Sequence, residues 1–242
     1  MSTRVTTFDF PEGKPLLGGR YTIAESIGAG WEGEVYRIVE RGTDISRVAK
    51  FYYPQRNRKG VAARRYALKL HRLRDCPVVI QYLYHDRLRF HGFPIEYVVS
   101  DLAPGKILSQ FQKEQPGHRF LPFEALHVLY ALAAGIEPIH LKGEYHGDIH
   151  TDNILIERKG LTFRIKTLDF FDLGRSSREK IMQDVVDIVK TFHEILGGSR
   201  YYRNQPTIVR DICKGLKATL INRQFRRAGD IRGFLDNYPW QG

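Results

Sequence analysis

Tyr145-His146-Gly147-Asp148-Ile149-His150-Thr151-Asp152-Asn153-Ile154-Leu155-Ile156 is the stretch on which the reading of this chain turns. It sets an acid and an amide five residues apart, Asp148 and Asn153, in a polar loop that enters an apolar strand. Asp148 is suited to accept a hydroxyl proton, and Asn153 offers an uncharged oxygen to a hard cation. His146, Asp148, His150 and Asp152 also suggest a transition-metal cluster, but no cysteine or further histidine is placed to complete one. Sixteen residues after Asn153, Asp169 stands at the end of a second strand-like piece, residues 163–168. Together Asn153 and Asp169 supply two oxygens to Mg²⁺ and leave its other positions for phosphates and water.

Upstream, residues 27–35 read Ile27-Gly28-Ala29-Gly30-Trp31-Glu32-Gly33-Glu34-Val35, a G-x-G-x-x-G-x-V pattern between two strands. Glycines let a backbone approach phosphates and offer N–H donors with no Cβ in the way. A dinucleotide site of the doubly wound type needs the third glycine to open a helix. Here residues 35–39 continue as strand, so that reading fails. Lys50 closes an apolar strand after this hairpin, where a lysine can neutralise phosphate oxygens as a point charge.

The rest of the chain frames these pieces. Residues 1–18 form an irregular leader with Pro11 and Pro15. Residues 21–27 alternate like a strand, 35–39 and 46–52 read as two further strands, 88–93 and 96–100 resemble a strand pair, and residues 61–74 have a helical pattern with Ala63, Ala67 and Leu70 on one face. Pro104-Gly105 breaks the chain near its middle and marks a domain boundary, 19–103 against 104–242. Beyond it the periodicity predicts helices over 123–141, 180–196 and 208–220. A strand-rich first part and a helical second part mean α+β in two lobes.

Of the 242 residues, 42% are hydrophobic and 12% aromatic, which excludes a largely disordered chain. The start lacks an apolar signal-peptide core, and the two cysteines, Cys76 and Cys213, make neither a disulfide framework nor a metal spacing. A reducing cytoplasmic setting is expected. The net charge of +11 is concentrated: residues 51–74 hold eight cations and no acid. That is a local basic patch rather than a uniformly basic coat, and it predicts an acidic protein or polyanion partner at Arg64, Arg65, Lys69 and Arg72.

Taken in order over residues 21–235, these motifs resemble the protein-kinase superfamily signature, here in a small divergent serine/threonine type. The resemblance implies a bilobal fold, a small antiparallel β-sheet lobe before a shortened helical one, with ATP and Mg²⁺ as cofactors and a protein as substrate. It implies contacts to ATP from Ile27, Gly28, Gly30, Gly33, Val35, Val48, Lys50, Asp101, Ala103 and Leu155. Asp101 and Ala103 would bond adenine through their backbones, with Ser100 as gatekeeper. His146-Gly147-Asp148 stands for the family's His-Arg-Asp, with Asp148 as catalytic base, while Asn153 and Asp169 bind the metal. Lys50, Asp148, Asn153 and Asp169 are then the catalytic set. Asp184 resembles the buried aspartate that opens the family's central helix, and Arg223 its structural arginine.

Departures from the pattern set further expectations. The family pairs the strand lysine with a glutamate of the third helix. That position falls near Ala67, and no carboxylate lies between Lys50 and Asp75. Lys50 must therefore find another partner, with Asp169 one choice, or the first lobe must close differently. Gly147 replaces the arginine that receives an activation-loop phosphate, so control by phosphorylation at Ser176 or Ser177 is not expected. Phe171 replaces a glycine, Asp172 is a second acid nearby, and only fifteen residues separate Asp169 from Asp184. The string His-Gly-Asp-x-His-x-x-Asn also resembles aminoglycoside and choline phosphotransferases. Two alternatives stand beside the protein kinase: a small-molecule phosphotransferase, and a pseudokinase that binds a partner through its basic helix.

Overall fold

The alternation over residues 21–52 does what polar and apolar faces dictate, and in the computed structural model three antiparallel strands form there. The structure describes residues 5–160, 162–170 and 174–240. They fall into two compact units, one within 1–74 and 80–103, the other within 75–79 and 104–242. The first is built on strands β1 (Pro15–Leu16), β2 (Tyr21–Ala29), β3 (Gly33–Glu40) and β4 (Ser46–Tyr52), helix α1 (Val61–Arg72), and strands β5 (Tyr82–Phe90) and β6 (Phe93–Asp101). The six strands make one antiparallel sheet in the order β1-β2-β3-β4-β6-β5.

Period two divides this sheet into faces. Tyr36, Ile38, Ala49, Phe51, Tyr97 and Val99 are buried in one cluster together with Val5, Phe8, Phe10 and Leu16. The segment before β2 is thus part of the first unit's core. Phe8 and Phe10 stack with centroids 5.3 Å apart, and Phe10 meets Phe51 edge-on at 4.9 Å. Polar groups complete the fit. Glu34 accepts from the Phe8 N–H at 2.8 Å, from Tyr36 Oη at 2.5 Å and from Tyr53 Oη at 3.0 Å. Burial alone would raise the Glu34 carboxyl, but these donors outweigh it and hold the group below its ordinary value. Phe10→Ala is expected to cost about 3–5 kcal/mol, read by guanidinium unfolding. A loss under about 1 kcal/mol would show that the segment only rests on the sheet.

Helix α1 buries Ala63, Tyr66, Ala67, Lys69 and Leu70. This corrects one expectation: Lys69, 1% exposed, does not belong to the solvent-facing patch, whereas Arg64, Arg65 and Arg72 do. A charge count cannot tell which turn of a helix a lysine faces, and position 69 follows the apolar side.

The second unit carries β7 (Lys106–Ile107), α2 (Leu108–Lys113), α3 (Pro122–Leu141), β8 (Ile154–Lys159), β9 (Thr162–Thr167), α4 (Arg178–Ile195), α5 (Ser199–Tyr202), α6 (Thr207–Cys213), α7 (Ala218–Gln224) and α8 (Ala228–Asp236). Its small sheet runs β7-β8-β9. Gly105, with φ +110°, lets the chain pass so close to β8 that a Cβ there would lie 2.6 Å from Ile156 O. Ser177 caps α4, accepting from the Lys180 N–H. The helix expected over 208–220 is two helices, because Lys214, Gly215 and Leu216 all have positive φ. Both cysteines are buried; burial raises the Cys76 thiol and pushes Cys213 up to about 12. Among the described residues no helix is long and apolar enough to cross a membrane.

Candidate active site

The first unit presents the glycine-rich turn and Lys50. Gly30 N–H bonds Gly33 O at 2.8 Å to close the turn, and Tyr53 N–H bonds Glu32 O at 2.9 Å. The three glycines differ in cause. A Cβ on Gly33 would sit 1.8 Å from Phe51 O, so β4 packing itself demands glycine there. Gly28 and Gly30 have ordinary φ and nothing within 4 Å of an added Cβ, so packing within this unit explains neither.

Val48, Lys50 and Tyr52 point to the sheet face opposite the aromatic cluster, and Val35 pairs directly with Lys50. Val35 and Val48 are half-buried, while Ile27 is exposed. The Lys50 side chain is 9% exposed, and its Nζ lies 2.9 Å from Glu32 Oε2. It also stands over the Tyr66 ring at 5.1 Å and the Tyr52 ring at 5.4 Å. The α1 side chain that meets the lysine is therefore Tyr66, one position before the expected Ala67. The glycine turn, through Glu32, thus brings a carboxylate to Lys50. The sequence alone gives Glu32 no role. The strand pairing that sets Gly33 opposite Tyr52 is the signal that brings its neighbour to Lys50. At the end of β6, Ser100 is buried, and Asp101 pairs with Arg47 and gives its N–H to Gln81 O at 3.0 Å. Ala103, two residues on, is half-buried.

The second unit brings Asp148 and Asn153 together. Asn153 Nδ2 donates to Asp148 Oδ2 at 2.9 Å and to Asp148 O at 3.0 Å. His150 Nε2 stands 3.6 Å from Asp148 Oδ2. The loop is anchored from beneath by Asp184, fully buried, which accepts the His146 N–H at 2.6 Å and the Gly147 N–H at 2.8 Å. His140 Nε2 meets the same carboxylate at 3.1 Å, while its Nδ1 accepts the Ala228 N–H at 3.0 Å. One buried acid thus ties the loop to α3, α4 and α8. The His146 ring lies against Phe170 at 4.3 Å, and its Nδ1 accepts the Asp148 N–H at 3.2 Å. These contacts give His146 a packing role. Asp152 is engaged by Ser109 Oγ at 2.5 Å.

Leu168 N–H bonds Asn153 O at 2.8 Å, which fixes where Asp169 begins. Asp169 has φ +50°, a left-handed conformation that aspartate tolerates better than most residues and that recurs at functional sites. The donor set suits Mg²⁺. Asn153 commits its Nδ2 to Asp148, which turns Oδ1 to accept, and Asp169 adds a carboxylate; both are hard oxygens. Leu155 lies half-buried on β8, and Arg223 is exposed. Phe171 and Asp172 lie outside the described residues.

Comparison with known proteins now adds to this geometry. The family model described as a protein kinase domain matches residues 21–211. The serine/threonine-protein kinase PKH3 of Eremothecium gossypii is 30% identical over 164 residues, 64% of this chain and 21% of that protein. Cell division control protein 2 homolog C of Antirrhinum majus is 24% identical over 218 residues, 87% of this chain and 71% of that one. The chain thus spans about a fifth of the length of the first relative. A crystal structure of the Mycobacterium tuberculosis PknI kinase domain matches with a TM-score of 0.66 at 18% identity, covering 94% of this chain and 96% of that one. That likeness is one of fold.

Proposed function

This chain belongs to the protein kinase domain family, and from that premise we propose that it transfers the γ-phosphate of ATP to serine or threonine hydroxyls of proteins. The observation that carries the reading is the Asp148–Asn153 pair, hydrogen-bonded at 2.9 Å on a loop anchored to buried Asp184. Asp148 accepts the proton of the acceptor hydroxyl as its oxygen bonds to the γ-phosphorus and the bond to ADP breaks. Asn153 and Asp169 would hold Mg²⁺, whose positive charge offsets that on the phosphates. Lys50 binds phosphate oxygens. Gly28 and Gly30 admit a close approach to the loop that a Cβ would hinder, which accounts for glycines that packing does not require. Within the first unit, Ile27, Val35 and Val48 supply apolar contact to adenine, and the backbones of Asp101 and Ala103 bond its edge. The serine/threonine kinase among the relatives supports a protein acceptor over a small metabolite. Exposed Arg64, Arg65 and Arg72 are the part of α1 that an acidic partner would meet.

The test is radiolabelled ATP with Mg²⁺, offered to denatured lysate protein and to a metabolite pool, followed by phosphoamino-acid analysis. Label is expected on serine and threonine, and Asp169→Ala is expected to reduce it by at least about 10²-fold. Label confined to metabolites would replace the protein reading with the small-molecule one. Absence of label in both pools, with nucleotide still bound, would favour the pseudokinase.

A further inference from the structure

A nearly buried ammonium needs a compensating charge, since burying an unpaired one is costly. Helix α1, which in the family's pattern supplies that charge, reads Val-Ala-Ala-Arg-Arg-Tyr-Ala-Leu-Lys-Leu-His-Arg and has no acid to give. Instead Lys50 Nζ meets Glu32 Oε2 at 2.9 Å. Glu32 does not reach the lysine from a loose tip. Its carbonyl is bonded by the Tyr53 N–H at 2.9 Å, the turn around it is closed by Gly30 N–H to Gly33 O at 2.8 Å, and Gly33 brings the backbone against Phe51. The faces of Tyr52 and Tyr66 lie beside the ammonium as well, favouring a cation without competing for its protons.

We infer that Glu32 is the positioning residue of Lys50, so that the glycine turn rather than α1 carries the carboxylate that aims the lysine. The inference rests on the phosphotransfer reading above and deepens it. One short segment, residues 28–33, then does two things: it offers its backbone to the phosphates and it holds the cation that meets them. Glu32 and the phosphates bid for the same ammonium, so nucleotide binding must loosen the ion pair. Aiming Lys50 then requires no inward movement of α1.

The experiment combines Glu32→Gln, Lys50→Met, the double variant, and Glu32→Gln with Tyr66→Glu, which moves the acid onto the helix. Transfer to a general acceptor such as casein and equilibrium binding of mant-ATP are both measured, with thermal midpoints as a check on folding. Glu32→Gln is expected to lower kcat by about 10–100-fold without raising KM for ATP, because the lysine is less well placed yet no longer held by a competing acid. Mant-ATP should bind about threefold more tightly to Glu32→Gln, and this difference should vanish in the Lys50→Met background, as coupled residues require. Tyr66→Glu should restore at least about a third of the lost kcat, a rescue that a purely structural role for Glu32 would not allow. An unchanged kcat in Glu32→Gln overturns the inference. So does tighter binding that persists without Lys50, which would mean that Glu32 acts on the phosphates directly. If the wild type transfers no phosphate at all, the kinase reading fails, and the mant-ATP cycle still decides the role of Glu32.

Discussion

Asp148→Asn is expected to slow phosphoryl transfer by about 10²–10⁴-fold while leaving the unfolding free energy within about 0.5 kcal/mol of wild type. The two halves of this expectation come from different observations. The Asp148 side chain is 48% exposed, so it contributes little to stability. Its carboxylate is nonetheless fixed by Asn153 Nδ2 at 2.9 Å, with His150 Nε2 at 3.6 Å. Asparagine preserves the shape and removes the oxygen that takes the proton. Asp152→Asn is the matched control: that acid is four residues away, exposed and bonded to Ser109, and the same exchange there should cost less than about threefold. Single-turnover rates with saturating ATP separate chemistry from product release. More than a tenth of wild-type rate in Asp148→Asn, or an equal loss in Asp152→Asn, would move the base elsewhere.

The second large effect concerns stability. Asp184→Ala removes a buried carboxylate that accepts two backbone N–H groups of the catalytic loop and the His140 ring. Three donors are left unsatisfied, those of His146 and His140 buried and that of Gly147 partly buried, and charge-assisted bonds of this kind are worth more than neutral ones. A loss of about 3–5 kcal/mol is expected, the range seen when one member of a buried ionic network is deleted. For a chain of this size that lowers the thermal midpoint by roughly 6–20 °C, readable by circular dichroism or calorimetry. Activity should fall at temperatures where the chain is still folded, because Asp148 and Asn153 hang from the same loop. A midpoint within about 2 °C of wild type would show that the loop holds its shape without the anchor.

Much of this molecule is legible in the sequence because local patterns and tertiary burial agree. Residues 46–52 read as a strand, and Ser46–Tyr52 forms β4 over that span. The helix expected over 123–141 begins one residue earlier, where Pro122 occupies the first turn and loses no hydrogen bond there. Asp148, Asn153 and Asp184 can be picked out because each is an acid or amide at a fixed distance from an apolar run. What stays hidden depends on partners far away in the chain. Phe8 and Phe10 look like part of an irregular leader until β3 and β4 supply the rings they stack on. Lys69 looks solvated until α1 is rotated by its apolar face. Glu32 looks like turn chemistry, and only the β3–β4 pairing puts it beside Lys50. Six residues are too few for a helical period to declare itself, so Leu108–Lys113 is invisible as a helix beforehand.

The burial of both thiols has a practical side. Cys76 and Cys213 are both buried, and burial raises both thiols, Cys213 up to about 12, which disfavours the thiolate near neutrality. The thiolate is the nucleophile that attacks alkylating reagents, so the native chain is close to silent toward maleimides and iodoacetamides. A single cysteine introduced on an exposed strand or turn would therefore be a unique chemical handle. No background labelling would have to be engineered away first. The same burial that fills two gaps in the packing leaves the surface open for site-selective fluorophores or spin labels, so movements of the glycine turn can be followed without a cysteine-free background.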